Sequence, residues 1–269
     1  MGFLQPHAGH CHGHRGILLE ERISASLAGA AGDLRLDADP AAAPIRKRYL
    51  KSPFIMLGCK VPAIRARARA VARAHPQPPM AELLAALTGT WDSDVHEERL
   101  LAVFTAQNYR DMFTTDHVAG LLKTWLKESS NWDFVDAIAT GIAGQVGLAH
   151  APAWKEIESW AHDPWLWLRR ASLLAHIPAM RESRLEKARF RRTCQALAAE
   201  REFFVEKALG WALRELGKKD AAFSETVLLE LGGSTAPLTR REATRRLPAP
   251  DRKRILAALG QDRENSANN

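Results

Sequence analysis

Three stretches of this chain set a tryptophan beside charged side chains at helical spacing. Trp132 and Asp136 are four residues apart and share one helix face. Trp167 and Arg170 are three apart, and Lys207, Trp211 and Arg214 fall at i, i+4 and i+7. Together they offer one carboxylate, several cations and flat aromatic faces. Cations neutralise phosphates, and aromatic rings pack on a sugar or a base, so the set suits a nucleic-acid backbone. The plainer reading stands beside it. A tryptophan at helical spacing more often fills a core, and that is the default for Trp91, Trp125, Trp154, Trp160 and Trp165. Asp136 alone reads equally as a solvated carboxylate or as a partner for Arg170. Only the recurrence in three successive stretches favours the functional reading.

Helices must carry these residues. Ala, Leu, Arg and Glu dominate, period-two alternation is absent, and helical runs are divided by Pro62, Pro78-Pro79, Pro152, Pro164, Gly217, Gly232-Gly233, Pro237 and Pro248-Pro250. A column of alanines (Ala68, Ala102, Ala137, Ala171, Ala208, Ala243) recurs at spacings of 34, 35, 34, 37 and 35 residues. That is the length of two helices and two turns. The expected fold is an all-α solenoid of HEAT-like helical repeats, with its second helices lining a concave, basic groove. The small alanine lets helices approach, and the polar residue beside it faces the groove. An irregular helical bundle is the alternative. The repeat domain is expected over residues 17–260, between a His/Gly-rich tail (1–16) and a polar tail (261–269), both read as disordered.

The net charge of +7 and the pI of about 9.6 point to a polyanionic partner. Three arginine clusters add to this, around Arg65–Arg73, Arg189–Arg192 and Arg240–Arg246. Charge runs of this kind are as often merely solvated faces. No run of 18 apolar residues reads as a membrane span, and the start lacks the pattern of a secretory signal. Three scattered cysteines make no disulfide framework, so a reducing, cytoplasmic setting is expected. The protein is further expected to be a monomer and nucleoid-associated. Cys59 and Cys194 read as small buried hydrophobes. The tract His7, His10, Cys11, His12, His14 holds potential zinc or nickel ligands but matches no defined site, and no metal is assigned.

Several segments resemble the AlkD-type DNA alkylation-repair glycosylases, which are built from HEAT-like repeats. Residues 131–138 (NWDFVDAI) resemble their W-D-x-V-D-x-I signature, and residues 167–171 (WLRRA) their W-L-x-R-x-A segment. Residues 202–215 (EFFVEKALGWALRE) are similar to E-F-F-x-x-K-A-x-G-W-x-L-R-E, and residues 237–243 (PLTRREA) to P-L-S-x-R-E-A. The resemblance runs in order from about residue 41 to 247. It implies that Asp136 is the catalytic carboxylate, that Trp132 and Trp211 pack against the deoxyribose of the lesion, and that Arg170 contacts DNA nearby. Trp167, Arg169, Lys207, Arg214 and Arg241 are taken with Arg170 as DNA-binding positions. Asn131 departs from members that carry a second tryptophan there.

The chemistry so implied is hydrolysis of the N-glycosidic bond of N3- or N7-alkylated purines in duplex DNA. Such bases are cationic and leave readily, so no acid is needed to protonate them. The task is to stabilise an oxocarbenium ion at the sugar, which a carboxylate and two indoles do without a cofactor. The family leaves the damaged base in the duplex, which predicts no tight base pocket. Two other readings use the same fold. One is a non-catalytic paralogue that grips damaged or branched DNA, and the other is a protein-interaction scaffold, which would show an apolar or acidic groove.

Overall fold

The computed structural model describes residues 14–267, with side chains from residue 23 to 260. The His7–His12 tract lies outside the described residues. Within them every regular element is helical, and the one extended pairing is a bridge between Ile55 and Val95. No helix among them is long and apolar enough to cross a membrane.

Internal contacts divide the chain into two compact units. The first comprises residues up to Arg48 and Phe54–Asn108, and the second Tyr49–Pro53 and everything from Tyr109. The helices begin with α1 (His14–Leu36), α2 (Ala42–Leu50), α3 (Val61–Ala74), α4 (Met80–Trp91) and α5 (His96–Asn108). All but the last two residues of α2 lie in the first unit. The second unit continues with α6 (Thr115–His117), α7 (Lys123–Glu128), α8 (Trp132–Ile138), α9 (Gly144–Ala149), α10 (Ala153–Ser159) and α11 (Leu166–Leu174). It ends with α12 (Ile177–Arg181), α13 (Lys187–Ala196), α14 (Phe203–Gly217), α15 (Ala221–Leu231), α16 (Pro237–Thr244) and α17 (Ala249–Ala267). α17 carries on through Gln, Arg, Glu and Ala, residues of good helix propensity through which a nucleated helix extends cheaply.

Helix starts follow local chemistry. Pro62 and Pro237 occupy first-turn positions that need no N–H. The Glu186 carboxylate accepts from the Ala188 and Arg189 amides, and Asp220 accepts from Phe223. The alanine column is realised as expected. All six members are buried, one each on α3, α5, α8, α11, α14 and α16. In the second unit α8 packs on α11, α11 on α14 and α14 on α16, while α10 and α15 back α11 and α14. This is the side-by-side stacking of helix pairs that defines an α-solenoid. Two glycines permit the closest approaches. A β-carbon on Gly144 would lie 2.2 Å from the Ala175 carbonyl oxygen, and one on Gly210 2.7 Å from that of Thr239.

The core consumes most of the tryptophans, as the default reading expects. Trp91, Trp125, Trp154 and Trp160 are buried. Trp165 is the exception, 40% exposed with its Nε1 donating to the Leu126 carbonyl. His176 stacks on Trp154 with ring centroids 4.7 Å apart, and burial together with Arg189 and Arg192 pushes it down to about 3. Cys59 and Cys194 are free and buried, and burial raises both thiols.

Candidate functional site

The residue just before each column alanine in the second unit is Asp136, Arg170, Lys207 or Glu242, and all four line one cavity of about 790 Å³. They come from α8, α11, α14 and α16, the four helices that stack in that order. The repeat therefore aims the same position of each turn at the same place. Trp132, from the first turn of α8, and Trp211, from the middle of α14, line the cavity as well. Three residues after Asp136 the helix relaxes into a π-helical turn over Ala139–Ala143. Such turns re-aim the side chains that follow and concentrate at functional sites.

Asp136 is held by a two-pronged ion pair. Arg170 Nε donates to Oδ1 at 2.7 Å and its terminal nitrogen to Oδ2 at 2.9 Å. The other terminal nitrogen of Arg170 donates to the Phe204 carbonyl at 2.6 Å. Both partners lie 34 residues from Arg170, so one guanidinium joins α8, α11 and α14 at the repeat period. Burial pushes the Asp136 carboxyl above the ordinary aspartate value, and the Arg170 charge and hydrogen bonds pull it back without cancelling that effect. Asp133 adds to the rise and Lys207 opposes it.

The sequence-predicted set divides here. Asp136, Trp132, Trp211, Trp167, Lys207 and Arg214 are brought together with Arg170 around the cavity. Arg170 itself was expected on the DNA backbone. It is 4% exposed and its bonds go to Asp136 and Phe204, so in this structure it clamps the carboxylate. Trp167 is buried and packs on Phe204 at 5.0 Å, which makes it part of the wall rather than an exposed contact. Arg169 does not line the cavity. It is spent on Glu200 at 2.6 Å and on the carbonyls of Asp163 and Pro164. Arg214 is paired with Glu242, through the carboxylate and the carbonyl. Arg241 is exposed but does not line the cavity. Lys207 is exposed, with its Nζ 5.7 Å from the Phe203 ring. The Trp211 indole donates to Glu215 at 3.2 Å, which fixes its plane. Glu215 is held below its ordinary value: burial pushes it up, but the bonds from Lys218 and Trp211 outweigh it.

Several arginines of the three clusters are held by partners within the protein. Arg65 sits over the Phe104 ring at 3.8 Å and donates to Gln107. Arg189 and Arg192 pair with Glu158, and Arg191 with Glu230. Arg240 is buried against Thr235 and three carbonyls.

Several lining residues escaped the sequence reading of the site, among them Tyr49, Lys51, Phe203 and Asn131. Tyr49, 73% exposed, meets Trp132 edge-on at 6.0 Å. Lys51 adopts a left-handed backbone (φ 51°), a strained choice for a side chain this large. Phe203 is 54% exposed at the start of α14. Asn131, N-cap of α8, is buried with neither carboxamide atom hydrogen-bonded among the described residues. Leaving such a group unsatisfied costs about 1–3 kcal/mol. The exposed apolar residues and the motif-flanking Asn131 were the available signals. Among the described residues no cluster of three or more metal-ligating side chains occurs.

Comparison with known proteins agrees with this architecture. Two solved structures share the fold. One is a predicted DNA alkylation repair enzyme from Enterococcus faecalis, with a TM-score of 0.71 and 22% identity over 79% of this chain and 97% of that one. The other is AlkD2 from Streptococcus mutans, with a TM-score of 0.53 and 19% identity over 71% of this chain and 92% of that one. No curated protein matches the chain significantly. The family model described as DNA alkylation repair enzyme matches residues 31–247, which span parts of both units and include every residue of the cavity, and the chain accordingly belongs to the DNA alkylation repair enzyme family.

Proposed function

We propose that the protein is a DNA glycosylase that hydrolyses the N-glycosidic bond of N3- and N7-alkylated purines in duplex DNA. The observation that carries this is the Asp136 carboxylate, fixed by Arg170 at the wall of a cavity that also holds Trp132 and Trp211. In the reaction the C1′–N bond breaks and its electron pair neutralises the departing cationic base. Positive charge then develops on the sugar, where the carboxylate and the indole faces stabilise it. Water adds at C1′ and gives its proton to Asp136, whose carboxyl, raised by burial, is a better base than an ordinary aspartate. The base itself needs no acid, and the chemistry needs no cofactor.

Lys51 and Lys207 make no salt bridge among the described residues and are the cations at this cavity free to meet phosphates. A cavity of about 790 Å³ has more room than a single base fills. That supports hydrolysis of a base left in the duplex. The test is incubation with N-methylated duplex and with undamaged duplex. Free methylated purines should appear only from the former, while both duplexes bind with a steep salt dependence. Binding without release would favour the non-catalytic reading.

A further inference from the structure

Beside the carboxylate, the cavity wall holds a polar group that the protein leaves unsatisfied. An N-cap asparagine ordinarily accepts from an amide two or three residues on, but the Asn131 side chain makes no such bond. The residue is 2% exposed, and its Oδ1 and Nδ2 are both buried without a partner among the described residues. It lines the same cavity as Trp132 and Asp136. An adjacent donor and acceptor, both unspent at a site wall, call for a ligand edge that offers an acceptor and a donor in return.

We infer that Asn131 reads the minor-groove edge of the damaged purine and selects alkylated guanine over alkylated adenine, an inference that rests on the base-release reading above. Groups that face the deoxyribose approach a base pair from its minor-groove side. There guanine presents the N3 acceptor and the N2 amino donor, whereas adenine presents N3 alone. The carboxamide matches guanine, with Nδ2 donating to N3 and Oδ1 accepting from the amino group once the side chain turns about its two torsions toward the cavity. Alkylation at N7 leaves this edge intact. Alkylation of adenine at N3 removes its single acceptor. The amide is already stripped of solvent, so it gains two bonds opposite guanine and stays unpaired opposite 3-methyladenine.

The experiment compares wild type with Asn131→Leu and Asn131→Ala. Single-turnover release of 7-methylguanine and 3-methyladenine is followed from one methylated duplex, each corrected for spontaneous loss, and thermal melting is recorded alongside. The expected result is release of 7-methylguanine slowed about ten-fold, release of 3-methyladenine changed less than about two-fold, and a melting point of Asn131→Leu at or above wild type. Equal slowing of both bases, no change in either, or a lowered melting point with no change in the ratio overturns the inference. Release of neither base by the wild-type protein overturns the base-release reading, and the inference falls with it.

Discussion

The Asp136–Arg170 pair is the chemical centre of the account. A sequence shows both residues but not their contact, because they sit on different helices. Only the repeat length hinted at it, since 34 residues separate equivalent positions of successive turns. Arg170 was therefore read as a phosphate contact, while the alternative of a partner for Asp136 is the one the structure realises. Asn131 was legible as a departure from a motif, but its unsatisfied amide required coordinates. The carboxyl of Asp136 lies above its ordinary value, and burial is the main cause. The proposed mechanism needs the carboxylate, so the rate of base release should fall as pH drops through that raised value. Arg170→Gln removes the main influence holding the carboxyl down. Its rate–pH profile should lose activity at a higher pH than wild type, on top of a loss of up to about 100-fold from misplacement. An unshifted acid limb would contradict the assignment. The stability sign follows. The folded value exceeds the unfolded one, so the contribution of Asp136 is present below the ordinary aspartate range and is lost as pH rises through the folded value.

Helices were legible because their breakers are strong and their periodicity is unbroken by strand-like runs. The column alanines were legible because close packing leaves room for little else at those positions. The π-helical turn after Asp136 was not, since nothing in Ala139-Thr140-Gly141-Ile142-Ala143 marks a widened turn. Packing of the elements makes a sharp prediction. Gly144→Ala drives a β-carbon into the Ala175 carbonyl, a backbone group that cannot swing aside. It should cost about 1–3 kcal/mol or more, read as a lower denaturant midpoint at unchanged slope. Gly29→Ala on α1 meets nothing within 4 Å and should be neutral or stabilising by up to about 1 kcal/mol. Equal effects of the two substitutions would show that the α9 approach is not tight.

At the scale of the whole molecule the placement of the charge is more informative than its total. Arg169, Arg189, Arg191 and Arg192 are committed to ion pairs, and the excess of +7 must be carried by other cations. The exposed Lys207 is a better candidate for phosphate than any of those arginines. Lys207→Ala should reduce the slope of log affinity against log salt for duplex DNA by about 0.9, and Arg192→Ala should leave it unchanged. A slope unaffected by Lys207→Ala would remove that residue from the interface. Membership of the repair family accounts for the fold and for the partner class. Whether bonds are broken turns on one carboxylate. The most direct measurement is mass spectrometry of free bases from N-methylated duplex incubated with wild type or Asp136→Asn, with melting and duplex binding of both proteins measured in parallel. The account predicts 7-methylguanine or 3-methyladenine above the spontaneous level from wild type, and a loss of at least about 100-fold in a folded, DNA-binding Asp136→Asn. Undiminished release by that variant would contradict it.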